Sequence, residues 1–178
     1  MNAQELITQA RAQQRTALDE QAGKALLAEF GVAVPQSLTV KTADEVDAIF
    51  TKLHTPVVVK IISPDILHKS DAGGVRIGLR NAAEVEETVR AMMLLPAIAN
   101  ARIDGFLLEE MAPAGQEIVI GGLRDPQFGP LVMVGAGGIL AELYSDVVVR
   151  LAPVDEAGAL EMIAQVKGFA VLRGYRGR

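Results

Sequence analysis

Cysteine and tryptophan are absent from this 178-residue chain, and aromatic residues make up only 4% of it. Without cysteine the protein has neither a disulfide framework nor a thiolate metal site. So few aromatic rings do not favour a stacking platform for nucleic-acid bases. No apolar stretch approaches the ~18 residues that a bilayer-spanning helix needs, and the polar N-terminus lacks the apolar core of a secretory signal. We therefore expect a cytoplasmic protein with no membrane partner.

Basic charge is also scarce. The formal net charge is −5 and no long basic run occurs, which argues against a nucleic-acid partner. Hydrophobic residues make up 50% of the chain, so it can build a real core and is not disordered. The length fits one medium domain or two small subdomains.

The stretch Pro56–Leu79 organises the rest of the chain. The β-branched run Val57–Val59 leads into Lys60, and the following polar loop contains His68 and is closed by Gly73-Gly74. A lysine supplies a point charge, and glycines let backbone N–H groups approach an anion closely. This arrangement suits a polyphosphate, but it fits no Walker A pattern, and a β-hairpin with a solvated tip explains it as well.

Hydrophobic periodicity predicts a mixture of helices and strands, and hence an α/β fold. The predicted helices cover residues 19–31, 46–53 and the segments that follow the N-cap residues Asn81 and Asp155; Thr42 to Glu45 has the pattern of a capping box. The apolar stripe after Asn81 is Val85, Val89, Met92 and Met93, and the stripe after Asp155 is Leu160, Ile163 and Val166. Strands are predicted within residues 57–62, 75–79, 105–111, 117–122, 131–134 and 147–149.

Several polar segments have two interpretations. Glu109 and Glu110, followed by Glu117, are either exposed carboxylates at a strand end or a hinge that binds a purine, with Glu117 accepting from ribose hydroxyls. Residues 135–138 form either an ordinary turn or an anion-binding nest of backbone N–H groups. His68 could be a ligand, a base, a nucleophile or a solvated side chain, and no partner at metal-ligand spacing supports a zinc site.

Together, VVVKIISPDILHKSDAGGV and FLLEEMAPAGQEIVIGGLRDPQFGPLVMVGAGGILAELYSDVVVRLAP resemble the ATP-grasp portion of ADP-forming acyl-CoA synthetases, β-subunit-like, and more distantly the β subunit of succinyl-CoA synthetase. The resemblance covers residues 15–178. It implies an ATP-grasp fold that is incomplete at its C-terminus and has two subdomains. Residues 1–55 and 111–178 would form the main subdomain, and residues 56–110 the small one.

The resemblance also implies a role for each candidate residue. Lys60 would contact the ATP phosphates, Glu117 would bind the ribose, and His68 would accept the phosphoryl group as a phosphohistidine. The remaining implied roles are an adenine-binding hinge at Glu109, Glu110, Met111 and Ala112, a phosphate loop at Gly73 and Gly74, and a general active-site role for Gly137, Gly138 and Glu142.

One departure from the family pattern concerns magnesium. The family's Mg²⁺ ligands lie on an E-x-N-P segment and a later aspartate, and no Asn-Pro occurs in this sequence. We therefore expect no metal site in this chain and Mg²⁺ ligands beyond its C-terminus. The CoA-binding and ligase domains, or an α subunit, are expected partners of the nucleotide-binding portion, with CoA a substrate of the complete enzyme.

The implied reaction converts a carboxylate, CoA and ATP into acyl-CoA, ADP and phosphate, with the isolated chain inactive. One alternative is a non-catalytic nucleotide-binding regulatory module, as in a fusion with a protein acetyltransferase. Another is a truncated fragment without activity. The presence of His68 favours the enzyme, because a nucleotide sensor does not need a phosphoryl acceptor.

Overall fold

The computed structural model describes residues 2–15, 17–66, 68–138 and 146–173. Contacts divide the chain into two compact units, Met1–Ala112 and Pro113–Arg178, which we call the N-terminal and C-terminal units. Each unit combines helices with one antiparallel sheet. No helix among the described residues is long and apolar enough to cross a membrane.

The N-terminal unit is built on a four-stranded sheet. Its strands are β1 (Ser37–Val40), β2 (Val57–Ile62), β3 (Val75–Leu79) and β4 (Gly105–Glu110), and they lie in the order β1-β4-β2-β3. The main helices are α1 (Ala3–Ala12), α2 (Glu20–Glu29), α3 (Val46–Phe50), α4 (Ala82–Met93) and α5 (Pro96–Ala99). The predicted strands within residues 57–62, 75–79 and 105–111 are therefore present.

The register between β2 and β4 separates a core face from a charged face. Because side chains alternate along a strand, residues at every second position share one face. The core face of the sheet packs against α4. The strands bury Val57, Val59, Ile61, Phe106 and Leu108 there, and α4 buries Val85, Val89 and Met92. Lys60 pairs with Leu107 and Val58 pairs with Glu109, so Lys60 and Glu109 share the opposite face. The strand pattern thus brings a lysine and a carboxylate together.

The described part of the C-terminal unit is a three-stranded sheet with one α-helix. Strands β5 (Ile118–Asp125), β6 (Gly129–Ala136) and β7 (Val147–Leu151) pair in sequence order, and α6 (Glu156–Gln165) precedes a 3₁₀ segment at Lys167–Arg173. The small core contains Val134, Ala136, Met162, Val166 and Phe169.

Two of the three predicted helix N-caps are confirmed. The side chain of Asn81 accepts from the Glu84 N–H at 2.9 Å, and that of Asp155 accepts from the Gly158 N–H at 2.8 Å. The capping box at Thr42 is wrong, since Thr42 makes no side-chain cap bond. A 3₁₀ turn at Ala43–Glu45 leads instead into α3, which ends at Phe50 rather than continuing to residue 53.

Two predicted apolar stripes need correction. In α6, Leu160 is 60% exposed and Ile163 is 40% exposed, while Met162 takes the buried place. Apolar residues lie all round this helix, so its sequence does not single out one stripe. In α4, Met93 at the last position is 45% exposed, whereas Met92 is buried.

Contacts group residues 1–112 into one unit, whose boundary lies at the end of the predicted hinge segment. Within this unit β1 pairs with β4 over four residues and completes one edge of the sheet. The division into a main subdomain of residues 1–55 and 111–178 and a small subdomain of residues 56–110 stays a prediction.

Candidate functional site

Five charged side chains meet on the charged face of β2 and β4. They belong to Glu20, Lys24, Lys60, Lys69 and Glu109, and we call them the lysine–carboxylate cluster. Lys60 lies at its centre, with Nζ donating to Glu20 Oε1 at 2.5 Å and to Glu109 Oε1 at 3.0 Å. The predicted phosphate-binding lysine is therefore paired with two carboxylates.

Glu109 is the most buried member of the cluster, with 8% of its side chain exposed. Its second oxygen, Oε2, contacts Nζ of Lys24, which also pairs with Glu20 Oε1 at 3.0 Å. A buried carboxylate without partners is strongly unfavourable, so the two lysines are what allow Glu109 to lie there. The residue predicted as part of a nucleotide hinge thus has a clear structural role.

Glu20 reaches the cluster from the first turn of α2. Burial raises the pKa of Glu20, but hydrogen bonds from Lys60, Lys69 and Lys24 outweigh burial and lower the pKa to about 2. Burial lowers the pKa of Lys24, and its hydrogen bond to Glu20 partly offsets this. With the lysines protonated, three ammonium groups face two carboxylates, and the cluster keeps one net positive charge.

The loop between β2 and β3, residues 63–74, carries His68, and we call it the His68 loop. His68 is exposed, and its imidazole has no hydrogen-bond partner among the described residues. The backbone around it is nevertheless tied, since the Ala72 N–H donates to the His68 carbonyl at 3.2 Å. Lys69, the next residue, donates to Glu20 Oε2 at 3.0 Å. The His68 side chain is therefore exposed, while the loop that carries it is held by backbone and side-chain contacts.

The predicted phosphate-loop glycines both serve the turn. Gly73 has φ +74°, a conformation that favours glycine. A Cβ added to Gly74 would lie 2.5 Å from Cγ2 of Ile61, so no side chain fits there without a shift. Their N–H groups donate to the carbonyls of Ser70 and Lys69 at 3.0 and 2.7 Å. Binding of an anion by these two N–H groups would require the loop to rearrange.

The predicted hinge residues point in different directions. Glu109 faces the lysines, whereas Glu110 Oε1 lies 2.8 Å from both the backbone N and Nδ1 of His54. The backbone hydrogen bond from His54 is the main reason that the pKa of Glu110 is lowered. The Met111 N–H donates to the Pro56 carbonyl at 3.2 Å, and Ala112 is exposed.

A cleft of about 350 Å³ lies next to the cluster within the N-terminal unit. Glu20 and Lys69 line it, together with Arg15, Arg102 and residues 62–64 among others. Both arginines pair with Asp104, at 2.7 and 3.2 Å. The volume falls within the range of small-molecule sites, and the lining combines three basic residues with the carboxylates of Asp19 and Glu20.

Glu117 and the glycine loop after β6 come together in the C-terminal unit. The Gly137 N–H donates to the Glu117 carbonyl at 2.8 Å. A Cβ at Gly138, where φ is +67°, would lie 2.6 Å from Oε2 of Glu117. The loop therefore closes on Glu117 as a turn, with the N–H groups of Ala136 and Gly137 bonded to protein acceptors. Glu142 lies outside the described residues.

The described residues contain no group of three or more histidine, cysteine, aspartate or glutamate side chains that could hold a metal ion. The carboxylates of the lysine–carboxylate cluster do not fit Mg²⁺ either, because ammonium groups already bind their oxygens.

Comparison with known proteins identifies the family of the chain. The ATP-grasp domain family matches residues 9–178. The β subunit of ADP-forming acetate–CoA ligase I from Pyrococcus furiosus is 40% identical over 98% of this chain and 76% of that subunit. The chain belongs to the ATP-grasp family of ADP-forming acyl-CoA synthetases.

Further relatives in the ATP-grasp family are longer than this chain. The ADP-forming 4-hydroxybutyrate–CoA ligase of Nitrosopumilus maritimus is 40% identical, and the chain covers 25% of it. A structure of ACD1 from Ca. Korarchaeum cryptofilum in complex with coenzyme A has a TM-score of 0.91 and 40% identity, with 98% of this chain and 77% of that chain covered. Another structure of the archaeal synthetase contains a phosphorylated phosphohistidine segment, with a TM-score of 0.88 and 38% identity over 98% of this chain and 77% of that one. The ATP-grasp fold predicted from the sequence is confirmed.

Three members of the lysine–carboxylate cluster were missed by sequence reasoning: Glu20, Lys24 and Lys69. Only the spacing of Glu20 and Lys24, four residues apart on one helix, gave a signal. Nothing local indicates that Glu20 meets Lys60, which lies 40 residues further along the ATP-grasp chain.

Proposed function

We propose that this chain supplies the nucleotide-binding part of an ADP-forming acyl-CoA synthetase and that its His68 is phosphorylated during turnover. The complete enzyme would convert a carboxylate, CoA and ATP into acyl-CoA, ADP and phosphate. The observation that supports this most directly is the position of the exposed His68 beside Lys69, which shares the Glu20 carboxylate with Lys60. The candidate phosphoryl acceptor is therefore followed in the chain by a lysine whose ammonium group can attract phosphate.

Each ligand group has a candidate partner. Lys60 and Lys69 would bind the phosphates, because charge-assisted hydrogen bonds to phosphate are among the strongest in proteins. Residues 109–112 would hold the adenine, and Glu117 would accept from the ribose hydroxyls. Gly137 and Gly138 would support Glu117, since only small residues let the turn approach it this closely.

The covalent step is a transfer from oxygen to nitrogen. A neutral imidazole nitrogen of His68 attacks the γ-phosphorus of ATP, a P–N bond forms, and the bond between the γ-phosphorus and the β–γ bridging oxygen breaks. ADP leaves with that electron pair. The phosphohistidine then transfers its phosphoryl group to the carboxylate substrate, and CoA displaces phosphate from the resulting acyl phosphate.

The test uses the complete enzyme, incubated with γ-labelled ATP and Mg²⁺. We expect acid-labile, base-stable label on the peptide that contains His68. His68→Asn should abolish that label and net turnover while leaving ADP affinity within about twofold, since the lysines remain. His54→Asn is the matched control, because it removes the only other histidine of this chain, and it should retain labelling. Full activity of the His68→Asn enzyme would refute the phosphohistidine assignment.

A further inference from the structure

One carboxylate connects the His68 loop to the sheet. Glu20 Oε2 accepts from Lys69 in that loop at 3.0 Å, while Glu20 Oε1 accepts from Lys60 in β2 at 2.5 Å. The two lysines lie on different elements, and Glu20 comes from a third, the N-terminal helix α2. Only 24% of the Glu20 side chain is exposed.

We propose that Glu20 is a positioning residue that ties the His68 loop to β2 and occupies Lys60 and Lys69 until an anionic ligand takes its place. The inference rests on the proposed function in one respect, the identity of that ligand as a nucleoside polyphosphate. Glu20 then acts as an internal substitute for a phosphate group. Its carboxylate keeps the two lysines together while the site is empty, and it competes with the ligand for them.

The charge balance indicates that Glu20 competes with an anionic ligand for the lysines and does not help that ligand to bind. With Glu20 in place, three ammonium groups face two carboxylates, so an arriving anion finds a single net positive charge and a repelling carboxylate between Lys60 and Lys69. Without the charge of Glu20, Lys24 and Lys60 keep only Glu109, and Lys69 keeps no carboxylate partner among the described residues. Since Coulomb attraction grows with the net charge that a partly buried anion meets, removal of this carboxylate should strengthen binding.

The remaining contact of Glu20 does not explain its position. Glu20 and Lys24 form an i,i+4 pair within α2, a type of pair that contributes only a few tenths of a kcal/mol to a helix. Both members of that pair lie on α2, and it is Lys24 rather than Glu20 that extends it to Glu109 in β4. The contacts with Lys60 and Lys69 cross between elements, so they can fix the position of the His68 loop.

The first experiment measures amide hydrogen exchange in the chain without nucleotide. The reporting amides are those of residues 72–74, which close the His68 loop. Glu20→Gln should speed their exchange about three- to tenfold, as expected for the loss of a partly buried ion pair. Lys69→Met should give the same increase, and the double variant no more, because both changes remove one interaction. Glu87→Gln, which removes an exposed carboxylate from α4, is the control and should behave like the wild type.

The second experiment titrates ADP into the same proteins by calorimetry. Glu20→Gln should bind ADP about three- to tenfold more tightly, although its loop is less protected. If Glu20 merely stabilised the fold, its substitution would lower both the protection of the loop and the affinity for ADP. Lower protection together with higher ADP affinity therefore distinguishes the proposal from a purely structural role. Weaker ADP binding by Glu20→Gln would overturn the proposal, and so would unchanged exchange of residues 72–74.

Two other outcomes are decisive. If Glu20→Gln also loses protection throughout β4, Lys69→Met decides the matter: faster exchange of the loop alone supports the proposal, and wild-type exchange overturns it. If neither the wild type nor Glu20→Gln binds ADP, the nucleotide assignment fails, while the exchange data still decide whether Glu20 holds the loop.

Discussion

Replacing Glu109 by Gln tests whether the lysine–carboxylate cluster stabilises the fold or only serves a ligand. Gln keeps the size of the side chain but removes its negative charge. In the structure, Glu109 Oε1 lies 3.0 Å from Nζ of Lys60, and Oε2 contacts Nζ of Lys24. The substitution therefore leaves two lysines with one fewer carboxylate on a largely buried face.

The expected loss of stability depends on the ion pairs that Lys24 and Lys60 keep in the Glu109→Gln variant. Removing one partner of a buried ion pair costs about 3–5 kcal/mol when the other charge is left unpaired. Here Lys24 and Lys60 keep Glu20, at 3.0 and 2.5 Å, so neither is left alone. We therefore expect a smaller loss of about 2 kcal/mol in the free energy of unfolding of the N-terminal unit, which is roughly a 30-fold change in the opening equilibrium.

Amide hydrogen exchange of β2 and β4, resolved by NMR, measures this loss in the N-terminal unit alone. Glu110→Gln is the matched control, because it makes the same change one residue later on the same strand. Its carboxylate contacts His54 rather than the lysines, so little change is expected in the same amides. If Glu109→Gln exchanges no faster than Glu110→Gln, the carboxylate does not stabilise the unit and the argument from burial fails.

Two further predictions concern the lysine and the C-terminal unit. Lys60→Ala in the complete enzyme should weaken ATP binding by about 1–3 kcal/mol, the range for a lost hydrogen bond to a charged group. The control Lys52→Ala removes an exposed lysine and should leave ATP affinity unchanged. Equal ATP affinities of the two variants in calorimetry would count against the phosphate role of Lys60. Hydrogen bonds from the backbone N–H groups of Gly168 and Lys167 lower the pKa of Asp146 below its ordinary value of 3.8. The ionised Asp146 therefore stabilises the folded C-terminal unit above pH 3.8, and this stabilisation is lost as the pH falls through the folded-state pKa. Asp146→Asn should therefore lower the urea midpoint of the C-terminal unit at neutral pH, measured by NMR, and should match the wild type in strong acid; equal midpoints at neutral pH would contradict this.

The sheet of the N-terminal unit could be predicted because its signals are local. The β-branched run Val57–Val59 and the apolar run before Glu109 specify strands by composition. The caps at Asn81 and Asp155 are equally local, since each involves a side chain and an N–H group three residues apart. Local chemistry also sets the turn at the glycines that close the His68 loop.

The lysine–carboxylate cluster could not be predicted in the same way. Lys60 was interpreted as a phosphate ligand, while the structure pairs it with a carboxylate 40 residues earlier and another 49 residues later. Such pairs depend on how α2 packs on the sheet, which no short pattern encodes. The exposed Leu160 illustrates the same limit, because several apolar faces of α6 compete and tertiary packing selects one.

The alternation of β2 has a consequence for how this gene can change. Deletion or insertion of one codon between Val57 and Lys60 would turn the lysine into the hydrophobic core and a valine toward Glu109. Packing and charge pairing would then fail together. Natural variation in length should therefore avoid the six residues of this strand.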